Sequence, residues 1–334
     1  MNKILVLFTI NLFLSFFFIL SCVPGEKNGW KNPYQYTFSQ ANILDSSEPS
    51  FNEISQLELD KKPSAIHVAA DGRIFMALED ALLILDELLT VKGRIWLETP
   101  ANCIAVAADL IFIGTRNHIE VLDQSGKIIS TWADLGENSL ITSLAINDEQ
   151  VAVADAGNKI CYIFTSSGKL VRQIRGKQEN GGAWFIIPSP YFDVAAGENG
   201  TFYIVNPGRH RIEQWSADGK LMTMWGKAGN GLGEFSGCCN PICLARFSDG
   251  RFVTVEKGLG RLMVFDVQGH YQYSGNQLLF DASNTLCSTL ATCSDLAVDS
   301  KGKIYFLDQK SKFLRIFELK EKSESDVESK KIDP

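Results

Sequence analysis

Cysteines are the residues of this sequence best able to do chemistry, and they are unevenly spread. Eight occur, and five of them, Cys238, Cys239, Cys243, Cys287 and Cys293, fall in two short stretches, GCCNPIC and LCSTLATC. Thiols grouped in this way have three readings. In an oxidising compartment they pair as disulfides. As thiolates they hold a metal ion or an iron–sulfur cluster. Otherwise they stay free. The pattern Cys-Cys-x3-Cys with Cys-x5-Cys matches no standard ligand spacing, so a metal or cluster is allowed while no cofactor is required. With Cys22 set aside, seven cysteines remain, an odd number that leaves at least one unpaired among intramolecular bridges. Cys103 and Cys161 lie inside apolar alternating stretches, where a small buried role is expected.

Other catalytic sets are sparse. No Ser or Cys sits in a nucleophile motif, and the Gly-x-Gly patterns open no helix, so they are not phosphate loops. Four histidines occur, His67, His118, His210 and His270, too few and too scattered to suggest several side chains converging on one ion. No catalytic residue is assigned. Trp184, Trp215 and Trp225 could stack on a sugar or peptide, or simply fill core.

The elements that must position these residues form a repeat. Each unit reads as an apolar strand, a tight polar turn often ending in Gly, a second apolar strand, a third alternating strand ending near Asp, and a Gly-Lys turn into a fourth. Six units begin at Ile66, Ile104, Leu144, Val194, Leu244 and Leu296. Their first turns centre on Gly72, Leu110, Gln150, Gly200, Gly250 and Gly302, giving spacings of 38, 40, 50, 50 and 52 residues. Alternation such as Arg261-Leu262-Met263-Val264-Phe265 gives each strand one face for each neighbouring sheet. Four-stranded units of this length repeated radially build a β-propeller. The expected fold is therefore all-β, a six-bladed β-propeller of four-stranded antiparallel blades. A helical solenoid is excluded because no unit has a helical period.

These units resemble the NHL-repeat family of six-bladed propellers. Arg209-His210-Arg211-Ile212 and Asn117-His118-Ile119 sit where that family carries its Asn-His-Arg-Ile-like stretch, and GKAGNGLGEF with Pro241 resembles its inter-blade linker. Gly237-Cys238-Cys239-Asn240-Pro241 looks like a variant found among exported bacterial proteins of this type. The resemblance covers about Ser64 to Leu319 and is strongest in the second half. It implies that inter-blade links and the loops between second and third strands share one face, where function usually sits. The longest links, 176–191, 226–242 and 275–295, lie there. So do the binding-face candidates Asp155, Arg209, Glu256, Lys257, Arg261 and Asp308, with Asn158 and Lys312.

The chain ends set the expected compartment. Lys3, then 17 nearly all apolar residues from Ile4 to Leu20, read as a signal peptide rather than a standing membrane helix. Ile19-Leu20-Ser21-Cys22 resembles a lipobox, with Leu20 bulkier than usual at its position; Cys22 would take the lipid and anchor the protein to a membrane. The expected organisation is a lipoprotein signal peptide over 1–21, a tether and a ring-closing outer strand within 22–63, the propeller over 64–319, and a charged disordered tail over 320–334. A hydrophobic fraction of 45% supports a full core. The net charge is −7, or −8 once Lys3 leaves with the signal, with no basic block, which excludes nucleic acid as a natural partner. The expected location is the cell envelope, lipid-anchored on the periplasmic or surface side of a membrane. Three functions follow: a binding scaffold for a protein, peptide or glycan; a redox or metal/iron–sulfur protein using the cysteines of blades five and six; and a metal-dependent propeller lyase or hydrolase.

Overall fold

Strands whose side chains alternate between two apolar faces must be covered on both sides, and a closed ring of sheets does this for every blade at once. The computed structural model describes residues 51–175, 185–257, 261–275 and 293–320. The signal and tether calls up to residue 50, Cys22, Trp184, Cys287 and the tail beyond Lys320 lie outside the described residues.

Among the described residues, 24 strands form six four-stranded antiparallel sheets. A first strand, β1 (Phe51–Glu58), stands apart from the blade that follows it. Blade one is β2–β5 (Pro63–Val68, Ile74–Leu78, Ala81–Leu85, Val91–Trp96), and blade two is β6–β9 (Cys103–Ala107, Leu110–Gly114, Ile119–Leu122, Ile128–Thr131). Blade three is β10–β13 (Ile141–Asn147, Gln150–Asp155, Ile160–Thr165, Leu170–Ile174). Blade four is β14–β17 (Val194–Ala196, Thr201–Asn206, Arg211–Ser216, Leu221–Trp225), and blade five is β18–β21 (Cys243–Arg246, Phe252–Val255, Leu262–Phe265, Tyr271–Gly275). Blade six takes β22–β24 (Cys293–Val298, Ile304–Asp308, Phe313–Leu319) and closes with β1, which pairs with β24 from Phe51↔Leu319 to Glu58↔Phe313. The two ends of the ring are thus joined inside one sheet, and the propeller draws on chain before Ser64.

The core is divided into six apolar layers, one between each pair of neighbouring blades. Strand β20 shows how the alternation produces them. Leu262 and Val264 pack in the layer shared with blade six, while Met263 and Phe265 pack in the layer shared with blade four. Each fully buried Phe or Leu in such a layer contributes roughly 1.5–3 kcal/mol. Cys103 and Cys161 are buried in these layers, in the small apolar role expected of them. Trp215 is likewise core, its indole donating to Glu213 at 3.0 Å.

Hairpin chemistry fixes the register. Gly72, Gly200, Gly250 and Gly302 take left-handed φ in the first turns of four blades. In blades two and three the turn falls slightly earlier than expected: Ala108 and Asp148 take the left-handed conformation, and Leu110 and Gln150 already begin the next strand. The links differ far more than the blades. Blades one and two are joined by 97–102, whereas blades four and five are joined by 226–242, so extra chain accumulates on one face of the second half.

Candidate functional site

Three separate segments meet on that face: the end of the link before blade four, the link before blade five, and the β19–β20 loop. Local chemistry holds each in place. Gly237 has φ +73°, the left-handed region, and its carbonyl accepts a hydrogen bond from His210 Nε2 at 2.8 Å. His210 is itself left-handed at φ 55°, closing the short 3-10 turn Pro207–Arg209 after β15. The turn packs closely on the preceding link: a Cβ at Gly208 would stand 2.7 Å from the Ile186 carbonyl oxygen, so only glycine fits. Asn240 then clamps the Gly-Cys-Cys segment to the β19–β20 loop. Its amide donates to Ser236 O at 2.6 Å and Lys257 O at 3.2 Å, and its oxygen accepts from Lys257 N at 2.8 Å. The following Asn240–Pro241 peptide is cis.

The result is a compact thiol site. Lys257 Nζ lies 2.5 Å from Cys239 Sγ and 3.2 Å from Ser189 Oγ, and Ser189 Oγ lies 3.4 Å from the same sulfur. The Lys257 ammonium also sits 5.6 Å from the centre of the Tyr191 ring. Cys238 Sγ is 3.2 Å from Cys239 Sγ. The two cysteines differ in exposure: Cys239 is 1% exposed, whereas Cys238 faces solvent. Burial pushes the Cys239 thiol up, but hydrogen bonds from Lys257, Ser189 and Cys238 outweigh it and leave it below the ordinary thiol range. Cys238 moves the other way, raised first by its contact with the Cys239 sulfur and then by burial.

A second pair lies deeper. Cys243, opening β18, and Cys293, opening β22, bring their sulfurs to 3.0 Å across the junction of blades five and six. Both are buried, and both thiols are raised: Cys243 by its contact with Cys293 and then by burial, Cys293 by burial first. All six described cysteines are free thiols. Among the described residues, no three His, Cys, Asp or Glu side chains converge as a metal site.

Of the charged candidates, Lys257 alone is seen joining the thiols. Asp155 is buried and accepts from Ser139 Oγ, Leu140 N and both nitrogens of Asn158, bracing its own loop. Glu256 is buried too. It accepts from Ser236 N at 2.6 Å and pairs with Arg261 at 2.5 Å, while Arg261 donates to Glu234 O. Asp308 caps its loop through Lys310 N and Ser311 N. These groups hold the face in shape and turn their charges inward. Arg209 lies half-buried in the 3-10 turn. Ser189, Tyr191, His210 and Asn240 were not singled out as site residues by their sequence. The other end of the same link, with Asn158, Lys159, Ile160 and Arg175, lines an open pocket of about 360 Å³ at Phe185.

Strand β2 carries His67, half-buried, where burial lowers its imidazole to about 4 and keeps it neutral. Asp193, just before β14, and Asp295, in β22, are both raised by burial, to about 6 and about 8, with the Asp193 charge adding to the shift of Asp295.

Neither a protein-family model nor a curated protein matches the sequence. Solved structures do match in shape. A streptogramin B lyase aligns with TM-score 0.58 and 13% identity over 82% of this chain and 100% of its own. A catalytically inactive virginiamycin B lyase from Staphylococcus aureus with quinupristin gives 0.56 and 12%, over 81% and 100%. The WD40 β-propeller domain of Doa1 gives 0.54 and 11%, over 82% and 98%. Likeness at this identity shows the propeller fold alone.

Proposed function

We propose that this chain is an exported envelope protein of NHL type, lipid-anchored at Cys22, whose propeller is a binding scaffold for a protein, peptide or glycan. One observation carries the scaffold reading. Links from two blade junctions and a blade loop converge on Lys257, Tyr191 and Cys238, while most neighbouring charges are used internally to keep that surface rigid. Rigid loops over a closed ring are the usual place for recognition. An aromatic ring beside a lysine suits a peptide carboxylate or a sugar face. The acidic chain and the absence of a basic block disfavour nucleic acid. The lyase activity named for two structural neighbours is not carried over, because the similarity lies in the ring.

The test is binding of the mature protein to glycan and peptide arrays, wild type against Tyr191→Ala and Lys257→Ala, with the thermal transition checked for each. Features bound by wild type and lost in both variants support the scaffold. Arrays on which the three proteins bind alike refute the placement of the surface. For the anchor, palmitate labelling should vanish in Cys22→Ser, and labelling that persists overturns it.

A further inference from the structure

We propose that Cys238 and Cys239 are a redox-active dithiol/disulfide couple, with exposed Cys238 as the sulfur attacked by an incoming thiol and Lys257-held Cys239 as the leaving thiolate. This goes beyond recognition and stands on geometry of its own. The two sulfurs are 3.2 Å apart, one open to solvent and one buried beneath it against a lysine ammonium and a serine hydroxyl. That division of labour is what thiol–disulfide exchange needs. The rate depends on access to the attacked sulfur and on how readily the other departs as thiolate.

The chemistry closes without a cofactor. In the oxidised form a bond joins Cys238 Sγ to Cys239 Sγ. One thiolate of a dithiol co-reactant, a small molecule or a reduced cysteine pair in a peptide, attacks Cys238 Sγ. The S–S bond breaks and its electron pair goes to Cys239 Sγ, which remains as thiolate beside Lys257. The second thiolate of the co-reactant then attacks its own sulfur in the mixed disulfide, forming the co-reactant disulfide and expelling Cys238, which takes one proton. The dithiol has lost two electrons and two protons; one proton resides on Cys238 and the other enters solvent. A disulfide co-reactant drives the reverse.

Two features make the couple oxidising. Adjacent Cα atoms are about 3.8 Å apart across a trans peptide, shorter than the roughly 4.4–6.8 Å of relaxed disulfides, so the bond is strained and easily reduced. Lys257 and Ser189 stabilise only the reduced form, where Cys239 carries charge. The buried Cys243–Cys293 pair has no exposed sulfur and no lysine, and it does not share this chemistry.

The experiment is a redox titration of the mature chain in glutathione buffers, with acid quench, alkylation and peptide mass mapping. A two-electron transition should map to Cys238 and Cys239. Lys257→Met should shift the equilibrium at least tenfold toward the disulfide, about 30 mV more negative, while Lys257→Arg stays close to wild type. The rate of Cys239 alkylation should also move to higher pH in Lys257→Met and not in Lys257→Arg, with a wild-type thermal transition in both variants showing that folding is kept. Thiols at 238 and 239 that remain alkylatable in every buffer, or a midpoint unmoved by Lys257→Met in folded protein, overturn the proposal.

Discussion

Replacing Glu256 with Gln tests whether the face beneath the thiol site is held by a buried ion pair. Glu256 is fully buried and Arg261 is 3% exposed, so water screens neither. The Gln oxygen can still accept from Ser236 N, at 2.6 Å in the native protein, but its NH2 group would point at the guanidinium where a carboxylate oxygen stood at 2.5 Å. Arg261 would keep only its hydrogen bond to Glu234 O among these contacts. Stranding one charge of a buried pair costs about 3–5 kcal/mol. At roughly 2 °C per kcal/mol for a domain of this size, that is a fall of about 6–10 °C in Tm. Converting the pair together, Glu256→Gln with Arg261→Met, removes the stranded charge and should recover most of the loss. Urea titration with linear extrapolation, read by tryptophan fluorescence, measures both variants. A loss below about 1 kcal/mol for the single change, or a double variant no better than the single one, refutes the argument that this pair braces the link.

Two further outcomes are expected. Asp295 is raised by burial to about 8 against an ordinary 3.8, so the folded protein holds a proton that the unfolded chain releases. Its contribution is intact below pH 4 and is lost as pH rises toward 8, with a slope of up to about 1.4 kcal/mol per pH unit. Asp295→Asn should flatten the fall in denaturation midpoint between pH 4 and 8, and an unchanged slope would show that another group sets it. The Cys243 and Cys293 sulfurs, 3.0 Å apart and 50 residues apart in sequence, should join when the unfolded chain, whose thiols are accessible, refolds in an oxidising glutathione buffer. Closing that loop adds up to about 4 kcal/mol in the chain-entropy limit, absent in Cys243→Ser. Oxidised protein that yields no linked Cys243–Cys293 peptide would count against it.

The ring was legible because strand alternation and turn glycines are local signals, repeated six times. Leu262 to Phe265 announces two packing faces whatever surrounds it, and the six layers of core follow. The thiol site was legible only in part. The clustering of cysteines drew attention to this stretch, although only Cys243 and Cys293 meet across blades five and six, and Lys257 lay close enough in sequence to be drawn in. Ser189 and Tyr191 reach the site across 50 and more residues through a link whose course no periodicity describes. His210 belonged to a recurring stretch and so looked purely structural, yet its hydrogen bond to Gly237 O fixes where the Cys-Cys segment starts. Asp155, Glu256, Arg261 and Asp308, also binding-face candidates, are buried. Charge in a loop suggests exposure, but a loop that must hold its shape over a closed ring turns such charges toward its own N–H groups.

The innermost strands show how the second cysteine pair belongs to that scaffold. Each blade junction has a cross-link near the start of its inner strands. Ser64 donates to Ala101 O between blades one and two, and Asn102 to Ile141 O between two and three. Thr142 donates to Phe192 O between three and four. Asp193 accepts from Leu244 N between four and five, and Asp295 from Ile66 N between six and one. At the junction of blades five and six the corresponding contact is Cys243 to Cys293. The sequence spends a polar bridge at five junctions and two thiols at the sixth, so that pair is a blade-to-blade fastener. Cys238 and Cys239 stand apart from it, in the link outside this ring of contacts and beside Lys257 of the β19–β20 loop. The two pairs of cysteines therefore answer to different demands: one closes the ring where hydrogen bonds do so elsewhere, and the other stands on its surface with one sulfur open to solvent.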